Sequence, residues 1–384
     1  MSPGEGLGKW PRRLEAEQQR ASVGGEARLE TTRIGIVGAG WMGHEHARAW
    51  RHNAPRGAVV AVADASPERA RHLAGTLADA AIRTHGDLPA MLAGGEIDAV
   101  DICLPHHLHT EAILQAARAG TAILCEKPVC TTLADAAMVG ATLAETGVAF
   151  MAAHNQLFQP SLVEARRLLA SGALGRPFVI RSIEAVQNRG FGTGQVPIDL
   201  GGGESPWAWR ADKRKMGGGE VLDTGWHATY RLLALADERP VEVVAMTDRF
   251  HVKQLDVEDT GVAMVRFASG AIGEILTSWA FAPVGGWHFE VGAQHGSLAG
   301  SRTRLVHQLH GWSEAVEINN EPAHTFTAEV AHFLDVLQRG TPSQATFAAA
   351  ARVLQVTMAI YASAERKRII ALPEDPVVPG EPVA

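Results

Sequence analysis

The first half of the chain alternates short, near-continuous apolar runs with longer stretches whose apolar residues recur every three or four positions. The runs are Arg33–Val37, Ala58–Ala63, Ala99–Leu104, Thr121–Cys125 and Val148–Ala152. Unbroken apolarity suits parallel strands covered on both faces, because a half-exposed strand would alternate. Between the runs, Thr110–Ala119 and Leu133–Thr146 are rich in Ala and Leu at helical spacing. This alternation predicts an α/β fold whose N-terminal part is a doubly wound parallel sheet.

After about residue 155 the pattern changes. A helix at Ser161–Ala170 leads into longer β-branched stretches at Val241–Thr247, Gly261–Phe267, Ala271–Trp279 and Trp287–Ala293. Ala268-Ser269-Gly270 is a hairpin signal between two of them. A large open, mostly antiparallel sheet is expected, with helices at Thr327–Gln338 and Ala345–Ala364 packing back on the core. Val241, Val243 and Ala245 alternate with Glu242, Val244 and Met246, so neither face of that strand is wholly polar. A face left uncovered by helices then seeks a second copy, and a homodimer or homotetramer is expected. The reading divides the chain into a flexible tail at 1–30, units at 31–153 and 154–372, and a Pro-rich tail at 373–384.

Composition narrows the function. At about 150 residues per domain, 384 residues suggest two or three domains. Lys+Arg 35 against Asp+Glu 42 leaves a net charge of −7, without the concentrated cationic surface that nucleic acid requires. No uninterrupted apolar run approaches the roughly 18 residues of a membrane helix, and the N-terminal stretch has no secretory apolar core. Neither nucleic acid nor a membrane is an expected partner. Three cysteines in so long a chain are no disulfide framework, so a reduced, cytoplasmic protein is expected. Cys103, Cys125 and Cys130 have His106, His107 and His109 nearby in sequence, but C-x-x-C and H-x-x-x-H spacings are absent. Buried small hydrophobes explain the cysteines better than zinc, and no metal is expected.

Gly38-Ala39-Gly40-Trp41-Met42-Gly43 follows the first strand directly. In that place the three glycines serve a tight turn, close approach of backbone to a pyrophosphate, and close helix–strand packing. The phosphates would sit on the free amides of the helix that begins near Trp41. Asp64 ends the next apolar run, about 20 residues past the last glycine, where a carboxylate accepts from ribose hydroxyls. That favours NAD, with NADP possible because Ser66 and Arg69 could receive a phosphate. The competing reading makes Asp64 the cap of a helix starting at Pro67.

Two further constellations fall at the carboxyl edge of the predicted sheet, where such folds bind ligands. Pro105-His106-His107-Leu108-His109 follows the third run and Glu126-Lys127-Pro128 the fourth. Farther on, Gly217-Gly218-Gly219 through Asp223-Thr224-Gly225-Trp226-His227 opens an expected helix, whose four-residue spacing would place Asp223 and His227 on one face. Trp207 and Trp209 could stack on a sugar, and the Gly-rich loop 190–205 is expected to shape the pocket.

Taken together, the glycine turn, Glu126-Lys127-Pro128, Trp209-Arg210 and Asp223–His227 make the chain resemble the glucose-fructose oxidoreductase / inositol dehydrogenase / MocA family over about residues 32–370. The resemblance implies a Rossmann domain, a second α/β domain with an open oligomerising sheet, and NAD(P)-dependent hydride transfer at a secondary alcohol of a sugar or cyclitol. It implies catalytic roles for Lys127, Asp223 and His227. Pro105, His109 and Glu126 would line the nicotinamide end, and Asn155, Trp209 and Arg210 the substrate. His106 and Leu157 depart from the residues common there, Asn and Arg, so substrate identity does not carry over. In the expected chemistry His227 is the base with a pKa near neutrality, Asp223 holds its charged form, and Lys127 stabilises the alkoxide. Two other readings are an NAD-dependent glycosidase working by oxidation and elimination, and a non-catalytic NAD-binding sensor.

Overall fold

A computed structural model describes residues 30–77, 81–187, 208–252 and 255–376. The first half runs β1 (Thr32–Val37), α1 (Trp41–His52), β2 (Gly57–Ala63), α2 (Pro67–Thr76), β3 (Arg83–His85), α3 (Leu88–Ala93), β4 (Ala99–Ile102), α4 (His109–Arg118), β5 (Ala122–Glu126), α5 (Leu133–Thr146) and β6 (Phe150–Ala153). The strands form one parallel sheet in the order β3-β2-β1-β4-β5-β6. The chain winds outward from β1 to β3 and then from β4 to β6. The loops after β1 and β4 therefore diverge, which opens a crevice at their carboxyl ends. The apolar runs are the central strands, with Ile34, Ile36, Val100, Ile102, Ile123 and Leu124 fully buried. β3 is an exposed edge of Arg83, Thr84 and His85, so no apolar run announced it.

The second half runs α6 (Pro160–Ala170), β7 (Pro177–Ala185), α7 (Lys213–Met216), α8 (Gly225–Ala236), β8 (Pro240–Asp248), β9 (Thr260–Phe267), β10 (Ile272–Ser278), β11 (Phe289–Ala293), β12 (Gly296–Gly300), β13 (Arg304–Leu309), β14 (Val316–Asn319), α9 (Thr325–Arg339), α10 (Phe347–Arg366) and β15 (Ile370–Ala371). Nine strands pair in the order β14-β13-β12-β11-β7-β10-β9-β8-β15. All pairs are antiparallel except β7 with β10. The expectation of a mostly antiparallel sheet holds, but its central strand β7 lay outside the apolar stretches because Arg181, Ser182 and Glu184 interrupt it.

Helices α8 and α10 lie on one face of this sheet, where Val243, Ala245, Ala263, Val265 and Ile275 are buried. The other face is open. Register lines up Val244, Met264, Glu274, Arg181 and Glu290 across it, with Met246 opposite Val262 in a second row. Met246 is 81% exposed. α10 is long and apolar enough by composition to cross a bilayer, yet it is a core helix with Ala350, Leu354, Val356 and Ile360 buried. The C-terminal elements fold back on the first sheet: α9 packs on α1, and Ala152 N donates to Ala345 O (2.8 Å).

The expected tails mostly lie outside the described residues. At the C-terminal end there is a correction, since Pro373 and Asp375 carbonyls accept from Gln355 Nε2 (3.1 and 3.3 Å) and are pinned to α10.

Candidate active site

β1 runs into Gly38, whose φ of +99° is a left-handed conformation that disfavours any side chain. A Cβ on Gly38 would strike the Cys103 carbonyl, and one on Gly43 the Gly38 carbonyl. Packing thus requires both glycines. Gly40 differs, because a Cβ there would meet nothing within 4 Å. The open space beside it, at the N-cap of α1 where Gly40 has no side chain of its own to cap the amides, fits a pyrophosphate approaching the backbone. Asp64 Oδ2 accepts from Ala39 N (2.8 Å) and Oδ1 from Ser66 N (2.8 Å), so its carboxylate is fixed against the turn. Ser66 caps α2 by accepting from Arg69 N, which replaces the reading of Asp64 as that cap.

Lys127 follows the last residue of β5. Its Nζ donates to Asp223 Oδ1 (2.6 Å) and to the Asp223 carbonyl (2.9 Å), and Arg210 Nε donates to Asp223 Oδ2 (3.0 Å). Burial alone would raise the Asp223 carboxyl, but Arg210 and Lys127 together hold it well below the usual carboxylate range. Asp223 is therefore a fixed anion between two cations. His106, from the loop after β4, sits with Nε2 3.8 Å from the same carboxylate and Nδ1 3.0 Å from the Met216 carbonyl. Burial keeps this imidazole neutral. Trp209 packs edge-on against His106 (4.6 Å between rings), with the Arg210 guanidinium 4.5 Å over the Trp209 ring.

Two expectations are corrected here. The helix does not open at the glycine triplet: α8 starts at Gly225, and Asp223 lies in the turn before it, so Asp223 and His227 share no helical face. Asp223 spends its oxygens on Lys127 and Arg210, while His227 Nδ1 pairs with the Tyr230 hydroxyl at 2.7 Å. Burial first, and Lys127 second, push His227 down to about 4, so the charged form is disfavoured rather than held.

The residues behind Lys127 form a buried polar network. Glu126 Oε2 accepts from Lys127 N (2.9 Å), and its Oε1 lies 3.1 Å from His46 Nε2. His46 Nδ1 meets Asp101 Oδ2 (2.9 Å), which also accepts from Trp50 Nε1 (2.7 Å). Burial would lower His46, but Asp101 outweighs it and the ring is held charged. Cys103, near both, is a buried thiol. His109 is a strut behind the site, not a lining group: it is fully buried, with its two nitrogens 2.7 and 2.8 Å from the Pro128 and Leu104 carbonyls. Pro105 heads the single turn 106–108 that leads into α4.

Asn155 opens the short turn 155–158 after β6 and donates from Nδ2 to Thr325 Oγ1 (3.3 Å), while Leu157 in the same turn is buried in the core. Sequence reasoning missed Tyr230, Glu184 and Arg231. Arg231 is wholly buried and donates to Glu184 Oε2 (3.0 Å), to Gln156 Oε1 (2.8 Å) and to the Ile183 carbonyl (2.7 Å). A buried arginine on an otherwise apolar helix was the signal that could have found this ion pair. Trp207 and loop 190–205 lie outside the described residues.

Comparisons with known proteins place the chain in a family. Residues 32–154 match the family model described as "Oxidoreductase family, NAD-binding Rossmann fold", and residues 162–299 match the "GFO/IDH/MocA C-terminal domain". The chain is 29% identical to 1,5-anhydro-D-fructose reductase of Ensifer adhaerens over 325 residues, covering 81% of this chain and 90% of that one. It is 39% identical to inositol 2-dehydrogenase of Rhizobium meliloti over 148 residues, which is 38% of this chain and 42% of that one. A solved levoglucosan dehydrogenase in complex with NADH and levoglucosan superposes with a TM-score of 0.79 at 22% identity, over 90% of this chain and 100% of that one, a likeness of fold.

Proposed function

We propose a sugar or cyclitol dehydrogenase from the premise that the chain belongs to the GFO/IDH/MocA family of NAD-binding oxidoreductases. Residues 31–153 hold NAD: the cradle at Gly38, Gly40, Trp41, Met42 and Gly43 takes the pyrophosphate, and Asp64 takes the adenosine ribose. When bound, the nicotinamide supplies the hydride acceptor or donor. Residues 154–372 carry the substrate side and the assembly surface.

The observation that carries the reading is the cluster at the carboxyl edge, where Lys127 Nζ lies 2.6 Å from Asp223 beside a neutral His227. Turning a secondary hydroxyl into a ketone requires a group that takes the hydroxyl proton and donors that hold the oxygen as charge develops on it. Lys127 and His227 are those groups. Asp223 aims Lys127, and Arg210 shares the carboxylate so that it stays an anion. Trp209 and Asn155 are the flanking contacts for a polyol ring. Among the relatives, anhydrofructose reductase, inositol dehydrogenase and levoglucosan dehydrogenase all act on such compounds by their names. The open face of the second sheet is the surface on which two or four copies assemble.

The test is NADH absorbance with a panel of cyclitols, aldoses and anhydrosugars at alkaline pH. Steady NADH formation with one class is the expected result. Conversion without net NADH would indicate the glycosidase chemistry instead, and a full panel without any conversion would overturn both.

A further inference from the structure

We propose that Tyr230 fixes the tautomer of His227, so that the imidazole presents an N–H to the substrate oxygen and does not take its proton. The proposal deepens the dehydrogenase reading above and rests on it for its chemistry, though not for its geometry.

Tyr230 is 3% exposed and follows His227 by one turn of α8. Its hydroxyl oxygen receives the backbone N–H of Gln156 at 3.2 Å and lies 2.7 Å from His227 Nδ1. The phenol has one proton to place. Among the described residues the acceptor within reach is His227 Nδ1. The neighbouring His154 stacks flat on the phenol ring at 4.3 Å, and its Nε2 already accepts from Trp226 Nε1 (3.0 Å).

Two arrangements are possible. In one, Nδ1 carries a hydrogen and gives it to the phenol oxygen. That oxygen then receives two donors, and the phenol proton is buried without an acceptor, which costs about 1–3 kcal/mol. In the other, the phenol donates to Nδ1, every polar hydrogen is satisfied, and the hydrogen of the neutral imidazole sits on Nε2. The second arrangement wins on that cost alone. The charged groups acting on His227 are Lys127 and Arg231, which disfavour a second ring proton, and Glu184 and Glu126, which favour it. Burial and Lys127 prevail, and the ring stays neutral. Burial likewise keeps the Tyr230 phenol protonated, so it remains a donor.

The consequence is a division of labour. Nε2–H holds the reacting oxygen, and the proton exchange falls to Lys127. Lys127 rests as the cation paired with Asp223; two of its three hydrogens go to the Asp223 carbonyl and carboxylate, and the lone pair left when the third is released to solvent is what receives the substrate proton. In oxidation the hydroxyl O–H bond would break with its proton passing to that amine, and the hydride would leave the same carbon for bound oxidised NAD as the C=O bond forms. Tyr230 touches no substrate and is a positioning residue.

The test uses the full chain labelled with 15N-histidine, its His227 resonances assigned by their loss in His227→Ala. In the two-bond 1H–15N spectrum at neutral pH, His227 should show a protonated Nε2 and an unprotonated Nδ1, and Tyr230→Phe should shift that pattern toward the other tautomer. A protonated Nδ1 in the wild type overturns the proposal, whether or not Tyr230→Phe folds. Turnover gives an independent readout: glutamine keeps an N–H donor but no basic nitrogen, so His227→Gln should be at least about tenfold faster than His227→Ala, with the wild-type pH profile. Equal losses in both variants, with a limb of the pH profile gone from each, would make His227 the base. Should no polyol be turned over at all, the dehydrogenase reading fails while the tautomer measured in the spectrum still stands.

Discussion

Lys127 Nζ lies 2.6 Å from Asp223 Oδ1, so a lysine at the end of β5 in the first sheet is aimed by a carboxylate from the turn before α8 in the second half. The pair is nearly dry, with side-chain exposures of 11% and 2%. Its partner Arg210 stands on the other carboxylate oxygen. Removing the anion leaves two cations facing each other in a largely buried place.

Asp223→Asn should therefore destabilise the fold by about 3–5 kcal/mol, the cost of breaking a buried pair by deleting one partner. Lys127→Ala should destabilise less, because Arg210 still neutralises the carboxylate, while lowering turnover on the order of 10²–10³. The dissociation constant for NAD, measured by fluorescence titration, should stay within about threefold in Lys127→Ala, because the pyrophosphate and ribose contacts lie at the glycine turn. Denaturant midpoints with both variants equal to wild type would remove Asp223 from the role of structural anion.

Asp64 contributes twice. Its carboxylate clamps the glycine turn through Ala39 N and would repel a 2′-phosphate. Asp64→Ala should weaken NAD binding by roughly tenfold and narrow the preference for NAD over NADP, since the repulsive charge is gone. Binding of both dinucleotides to wild type and variant decides it, and a wild type that prefers NADP would sink the assignment.

The open face predicts assembly. Val244 pairs with Met264 and Met246 with Val262, and all four are exposed, next to a strip in which Arg181 bridges Glu274 (2.8 Å) and Glu290 (2.7 Å). An apolar patch against a charged strip suits a two-fold partner that repeats both. Light scattering at micromolar concentration should give a dimer or tetramer, and Met246→Glu with Met264→Glu should give monomers that still bind NAD. A monomeric wild type is the contrary result.

The parts of the fold legible in the sequence were those written in burial. Strands covered on both faces had to be apolar throughout, so β1, β2, β4, β5 and β6 stood out at Ile36, Val62, Val100, Leu124 and Met151. β7 was hidden because one of its faces is open and carries Arg181, which pairs sideways within the sheet. The site was legible where backbone geometry forces a residue type, as at Gly38, or where a charge ends a strand, as at Lys127. It was illegible where meaning lies in partners distant in sequence. The four-residue spacing of Asp223 and His227 suggested a helical pair, but the turn ends only at Thr224, and Asp223 reaches back across 96 residues to Lys127. Tyr230 looked like any apolar helix residue until Gln156 N was placed on its hydroxyl.

Glu329 supplies a prediction that is independent of catalysis. It is fully buried on α9, and among the described residues neither carboxyl oxygen has a hydrogen-bond partner. Burial raises its pKa well above the ordinary 4.5; the charge of His46 pulls the other way, while Glu126 and Asp101 add to the rise. The folded protein therefore keeps this proton at a pH where the unfolded chain has lost it. Unfolding releases the proton, and wild-type stability falls as pH rises above 4.5, by up to about 1.4 kcal/mol per pH unit from this group. Glu329→Gln has no proton to release, and every other titrating group is shared by the two proteins. Whatever the variant's stability at pH 5, the difference between variant and wild type should move in favour of the glutamine as pH rises from there, until the folded protein also releases the proton. Urea midpoints at five or so pH values across that range measure it. Two parallel curves would mean that Glu329 ionises normally in the fold, and that a counter-charge or water reaches it from the side of α1.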